Sequence, residues 1–403
     1  MKNRVRVFNW SLFDFANSIY ATIIASLVFP VYFKTVVCED KPIGDFYLSL
    51  GINIAMVSSA ILNPICGAVS DRTSSKKKFL FFFTALSVVF SALLYFTAPG
   101  TIFIGVAFFA LSNIGFQTGM TFYDAFIPEI SEEKDYNRVS GIGYGVGYLG
   151  SIAALAMTMA LKSNPLLLFA ACGAGFALFS LPLFIFLPEK KFNHSRPEEG
   201  YVTYGIQKVL HTFREMNKHP DLRNFLLAFF FYIDAVETII VFASVYATST
   251  LHFSMTELVI LFTIVQVTAM AGSFLFGAIG EKIGLLRSLF INIICWLGIT
   301  ISVFLTNDKI SFYVIGGLAG TFLGSTQSVS RALMARLMPF EMRAELFGFY
   351  ALMDKTSTIV GPLTFGLISW LTGSEKLAVL SMGALFLLGF GLLFRVKEKP
   401  AAA

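Results

Sequence analysis

The chain has 403 residues, of which 56% are hydrophobic and only 14% charged, with a formal charge of +5 and 45 phenylalanines. Soluble domains carry about 25% charged residues, and a core of this length cannot hide so much apolar surface, so lipid is the solvent for most of these side chains. That argues against a soluble enzyme and a nucleic-acid binder, and the scattered Cys38, Cys66, Cys172 and Cys295 have neither disulfide nor metal spacing.

A bilayer core needs roughly 20 apolar residues per helix. The first run of that kind, residues 8–33, is too long for a signal-peptide core and contains Asp14 and Asn17, so it reads as a span. Further runs lie near 44–69, 79–98, 101–127, 139–161 and 166–187, then near 223–249, 255–279, 288–306, 311–336, 344–371 and 376–395. The expected fold is therefore an all-α polytopic membrane protein with twelve transmembrane helices. Residues 1–187 form one six-helix bundle and 223–403 the other, joined by a linker over 188–222. In that linker Ile206, Val209, Leu210, Phe213 and Met216 share one helix face, which suits an amphipathic surface helix or a solvated linker helix.

Cations sort to one side. The side with both termini holds Arg4, Arg6, Arg72, Lys76, Lys77, Lys78, Lys134, Arg138, Lys282, Arg287, Arg336, Arg343 and Arg395, whereas the other holds Lys34, Lys41, Lys162, Lys309 and Lys376. This asymmetry predicts cytoplasmic termini and linker, in the plasma (inner) membrane.

An internal repeat joins the halves. Gly67-Ala-Val-Ser-Asp71-Arg72 after the second run matches Gly277-Ala-Ile-Gly-Glu281-Lys282 after the eighth, and Gln117 matches Gln327; both offsets are 210 (277 − 67 and 327 − 117). Gly67 suits close helix approach, and Asp71 can meet a helix N-terminus or an Arg. The turn resembles the signature loop of the major facilitator superfamily, which implies that Asp71, Arg72 and Glu281 latch the cytoplasmic side. Residues Trp10–Tyr20, Phe122–Glu129, Arg138–Gly150, Phe231–Thr238, Gln327–Leu333, Phe347–Tyr350 and Gly361-Pro362 resemble, more narrowly, the vacuole-effluxer-like family, relatives of the fungal autophagy-related vacuolar amino-acid exporter. The chain departs from that pattern at Ala235, Glu237 and Asp354. The resemblance implies a major facilitator that moves small solutes such as amino acids.

A charge in lipid costs several kcal/mol and calls for a reason. The intramembrane candidates are Asp14, Asp124, Asp234, Glu237, Arg331, Asp354 and Lys355, while the third, sixth, ninth and twelfth runs carry none. Asp234 and Lys355 fall near mid-span and, with Glu237, form a set suited to a zwitterion. Glu237 is the expected proton-coupling site, with Asp234 beside it. Asp14, Asp124 and Arg331 lie nearer the cytoplasmic third and suit a gate. Structural readings stand beside these: a helix end for Asp124, an ion pair for Arg331, a permanent Glu237–Lys355 pair. Asn17, Gln117, Tyr123, Gln327 and Ser330 are candidate solute contacts, and glycines 141, 143, 145, 147 and 150 a close-packing ladder.

The expected function is secondary active transport of small polar solutes, amino acids first, coupled to a proton or another ion, by a monomer without cofactor, metal or catalytic residue. Export of amphipathic drugs or lipids, or a receptor with a transporter fold, are the alternatives.

Overall fold

The computed structural model describes residues 2–73, 75–130, 136–189, 218–337 and 357–397, with single positions at 203, 207, 210, 214, 216, 350 and 353. Among these there is no strand, and the long helices are α1 (Lys2–Tyr20), α2 (Ile43–Thr73), α3 (Lys76–Leu93), α4 (Ile102–Asp124), α5 (Tyr136–Ala160), α6 (Pro165–Phe186), α7 (Pro220–Ser249), α8 (Met255–Ile283), α9 (Leu285–Leu305), α10 (Lys309–Leu337), α11 (Val360–Thr372) and α12 (Glu375–Leu393). Nine candidate membrane spans lie among the described residues, in α1–α4, α6–α9 and α12. Shorter apolar stretches, Gly145–Ala160 and Val360–Thr372, lie in α5 and α11. The tenth run is the 29-residue α10, whose Ser325, Thr326, Gln327, Ser328 and Ser330 dilute its hydropathy. Large apolar side chains such as Phe103, Leu305 and Ile310 stand outward, at 77%, 67% and 78% exposed. Lipid is their natural solvent.

Local chemistry sets the helix ends and bends. The first span runs on past Tyr20 to Val37, but its turns widen over Ala21–Leu27 and Phe33–Val37. Val28 N–H donates to Ile23 C=O and Cys38 N–H to Phe33 C=O, each five residues back. Pro30 has no N–H to close a turn on Ser26, which accounts for the first widening. Asn164 caps α6 by accepting Leu167 N–H at 3.0 Å, with Pro165 at the first helical position. Ser254 and Glu257 close a reciprocal capping box on α8, and Lys309 holds the Glu257 carboxylate at 2.9 Å, tying the starts of α8 and α10. Asp308 accepts Ser311 N–H at 2.9 Å, and that bond lowers its carboxyl pKa. Gly284 joins α8 to α9 at φ +96°, a conformation that glycine adopts without strain.

The chain divides into two compact units, residues 1–41 with 50–209, and residues 42–49 with 210–403. The first turns of α2 thus pack with the second unit. In the first unit α1 packs on α5 and α6, and α3 on α4 and α6; in the second, α8 packs on α10, and α12 on α7, α9 and α11. The repeat is visible in the helix ends, since α2 closes at Thr73 and α8 at Ile283, again 210 apart (283 − 73).

The glycine ladder of α5 serves as expected at three rungs. A methyl at Gly143 would overlap Asp14 Oδ2, one at Gly150 would overlap Phe15 O, and one at Gly147 would lie 3.0 Å from Ser18 Oγ. Gly145 faces open space, and Gly141 lies outside the described side chains. A second ladder, Gly316, Gly320 and Gly324 of α10, sits against Leu261, Val265 and Ala269 of α8. Its four-residue spacing is legible in the sequence. Of the amphipathic linker face only Leu210 and Met216 are described; Ile206, Val209 and Phe213 lie outside the described residues.

Candidate functional site

In the first unit the α1 acid is held by aromatic residues. Tyr123 OH donates to Asp14 Oδ2 at 2.7 Å. Trp10 stacks on Tyr123 with ring centroids 4.5 Å apart and donates its Nε1–H to Tyr123 C=O at 3.2 Å. Phe13 stacks on the same ring at 4.8 Å. The spacing follows from helix geometry, since residues 10, 13, 14 and 17 share one face of α1. That face puts Trp10, Phe13 and Asp14 against the end of α4. Asn17, one turn on, is buried with its Oδ1 unpartnered.

In the second unit the α7 acid meets a break in another helix. Asp234 lies 14 residues from the start of α7 (234 − 220), in mid-helix, and is 0% exposed. Its Oδ2 accepts Gly361 N–H at 2.7 Å. The backbone turns at Thr358 and Ile359, and α11 starts afresh at Val360. The first N–H groups of a helix have no partner within it and carry its positive end, so Asp234 satisfies one of them. Gly361 is required by proximity: a methyl there would overlap Thr238 Oγ1 and stand 2.7 Å from Asp234 Oδ1 and 3.0 Å from Asp234 O.

The other expected residues are distributed as follows. Ser330 is buried and shares a 2.7 Å hydrogen bond with Tyr232 OH. Gln117 and Glu237 are half-buried, and Asp124, Gln327 and Arg331 are exposed. Asp71 and Arg72 fall in the last turn of α2 and Glu281 in that of α8, but their side chains lie outside the described set; Asp354 and Lys355 lie outside the described residues altogether. The basic turn after α2 is tied down. Lys76 pairs with Glu129 at 3.1 Å, and Lys77 donates its Nζ to Leu187 O at 2.6 Å, closing the C-terminal end of α6.

Two buried acids escaped the sequence reading. Asp45, 0% exposed in the first turn of α2, accepts the Ser369 hydroxyl of α11, while Phe46 packs on Trp370 with centroids 5.2 Å apart. Glu375, 8% exposed, accepts Ser249 Oγ at 2.6 Å and Thr250 Oγ1 at 3.1 Å. The twelfth run was read as free of charge because apolarity trims it at residue 376, whereas the helix begins at Glu375 behind its Ser374 cap. Asp45 lay inside the second run, and its signal was the run itself.

Similarity to known proteins agrees with this architecture. The family described as "Vacuole effluxer Atg22 like" matches residues 47–402. The MFS-type transporter YxiO of Bacillus subtilis (strain 168) is 30% identical over 98% of this chain and 95% of its own length. Autophagy-related protein 22 of Cryptococcus neoformans is 25% identical over 64% of this chain and 50% of its own length. Among solved structures, a nucleoside transporter aligns with a TM-score of 0.75 at 12% identity, covering 97% of this chain and all of that one. A bacterial homologue of the human lysosomal transporter Spinster, in an inward-facing and occupied conformation, aligns with a TM-score of 0.71 at 15% identity, covering 96% and 95%. With an all-helical fold in two units, a repeated helix end and a match over most of its length, the chain belongs to the vacuole effluxer Atg22-like family of major facilitator transporters.

Proposed function

We propose that this transporter moves small polar solutes, amino acids first among them, by alternating access coupled to protons. The observation that carries the reading is the placement of acids within apolar helices, Asp14 in α1 and a fully buried Asp234 in α7. Such groups are costly in lipid and mark polar pathways and proton relays, which favours a polar solute over an amphipathic drug or lipid. The fungal relatives named autophagy-related protein 22, and the family's description as an effluxer, support export of a solute.

In this reading Asn17, Gln117, Gln327 and Lys355 meet the solute's polar groups, and the unpartnered Asn17 Oδ1 is a ready acceptor. Tyr123 and Ser330 are engaged by Asp14 and Tyr232 and act on the solute by exchanging those bonds. Glu237 exchanges the coupling proton beside Asp234. Asp14, Asp71, Arg72, Asp124, Glu281 and Arg331 open and close the cytoplasmic side. The chain works as a monomer in the plasma membrane, with both termini and the linker in the cytoplasm, an orientation that the cation asymmetry supports.

The test is uptake by proteoliposomes offered labelled amino acids, peptides, nucleosides, sugars and amphipathic compounds, with and without a pH gradient. Gradient-driven accumulation of an amino acid is expected. Glu237→Gln is expected to keep exchange and lose accumulation. A mutant that still accumulates removes Glu237 from coupling, and uptake of amphipathic compounds alone replaces the substrate class.

A further inference from the structure

The 210-residue repeat makes each unit a control for the other. It carries Lys77 to Arg287 (77 + 210) and Phe184 to Phe394 (184 + 210). In the first unit α3 packs on α6, and Phe81 meets Phe184 with centroids 5.3 Å apart. In the second α9 packs on α12, and Phe290 lies 4.9 Å from Phe394 and 5.1 Å from Phe390. The same helix pair, with an aromatic contact at the same level, thus stands at the linker end of both units.

The cations at these two ends are used differently. Lys77 is half-buried and engaged: its Nζ donates to Leu187 O at 2.6 Å and its N–H to Glu189 Oε1 at 3.1 Å, while Lys76 pairs with Glu129. Arg287 is exposed, as are Arg395, two residues past the end of α12 (395 − 393), and Lys397. Among the described residues none of these three side chains forms an ion pair. The Arg395 carbonyl is served instead by Asn224 Nδ2 at 3.4 Å. Asp221 of α7 gives its Oδ1 to the Lys397 backbone N–H at 2.9 Å, and Glu398 lies outside the described residues. Next to the three cations the surface is apolar and open, with Phe394, Leu387 and Ile294 at 69%, 59% and 54% exposed.

We propose that Arg287, Arg395 and Lys397 hold the phosphate of one anionic phospholipid, whose acyl chains lie along Phe290, Phe394 and Leu387. Each half of that ligand matches a half of the site. Arginine forks suit phosphate oxygens and form charge-assisted bonds with them. Arg287 follows the start of α9 and Arg395 the end of α12, which is headgroup depth, and their stems can lie on the neighbouring rings with the charge at the water boundary. A zwitterionic lipid brings its own cation to the phosphate and is the poorer match, because three cations already stand there. The first unit has no vacancy of this kind, since Lys77 closes its own α6 and Glu129 and Glu189 supply the negative charge. The site lies on the lipid-facing side of the second unit and goes beyond the transport reading, which needs no particular lipid.

The experiment is native mass spectrometry of the full-length protein in detergent, titrated with phosphatidylglycerol or with phosphatidylcholine of the same acyl chains. Wild-type protein is expected to retain phosphatidylglycerol at lower concentration than phosphatidylcholine. Arg287→Gln and Arg395→Gln are each expected to weaken that binding about fivefold, and the double variant about 25-fold. Phe394→Ala is expected to weaken it too, and Lys78→Gln, a cation at the start of α3, to leave it unchanged. All four positions are exposed, so the variants keep the fold. Inorganic phosphate is expected not to displace the lipid. Equal retention of the two lipids, displacement by inorganic phosphate at the lipid's own concentration, or an equal loss in Lys78→Gln overturns the proposal. No solute enters the measurement, so its failure leaves the transport reading standing.

Discussion

The two units open with corresponding helices, α1 and α7, and each carries an acid inside the apolar run, yet the acids are held differently. Asp14 is half-buried and accepts a side-chain hydroxyl from Tyr123. Asp234 is fully buried and accepts a backbone N–H at the start of a broken helix. A hydroxyl leaves by rotating one side chain, a nanosecond event, whereas a backbone amide leaves only when its helix moves, which takes microseconds or longer. The first acid is therefore built to exchange partners locally, and the second to couple its state to a whole element.

The largest expected effect separates the neighbours of two glycines. Gly361→Ala places a methyl onto Thr238 Oγ1 and against the backbone oxygen of Asp234, so it is expected to cost about 3 kcal/mol or more and to displace α11. Gly143→Ala meets the side chains of Asp14 and Trp10, which can shift, and is expected to cost about 1–2 kcal/mol. Melting temperatures in detergent measure both, and equal losses would break the contrast between a backbone-held and a side-chain-held acid.

Removing the acids sharpens the same contrast. Asp234→Ala strands a buried N–H and is expected to cost about 2–3 kcal/mol, whereas Asp14→Ala strands a hydroxyl that can turn away, at about 1 kcal/mol. Hydrogen–deuterium exchange at Gly361 should rise in the first variant and stay unchanged in the second. Tyr123→Phe is expected to cost as little, about 1 kcal/mol, because the ring stays stacked on Trp10 and Phe13 while the bond to Asp14 goes. The smallest effect belongs to Gly145, which faces open space: Gly145→Ala is expected to be neutral or to raise stability by about 0.5–1 kcal/mol. A loss there would mean that the smooth face of α5 is needed in a second conformation.

Hydropathy alone located the apolar helices, because lipid demands a long run of apolar residues whatever lies beside it. The 210-residue repeat, the cation asymmetry and the acids Asp14 and Asp234 were equally legible, since each is a property of residue type and position. Partners were not. Asp234 finds Gly361 across 127 residues and Asp14 finds Tyr123 across 109, and the two ends of α11 meet Asp234 and Asp45 from different stretches of chain. Gly361-Pro362 is a local signal for the break, since Pro362 has no N–H to close a turn on Thr358, but nothing local says that a carboxylate fills it. That was decided by which helices pack, by the methyl that Gly361 lacks, and by the demand that buried backbone groups find a partner. These are conditions on atoms that meet only in the folded chain.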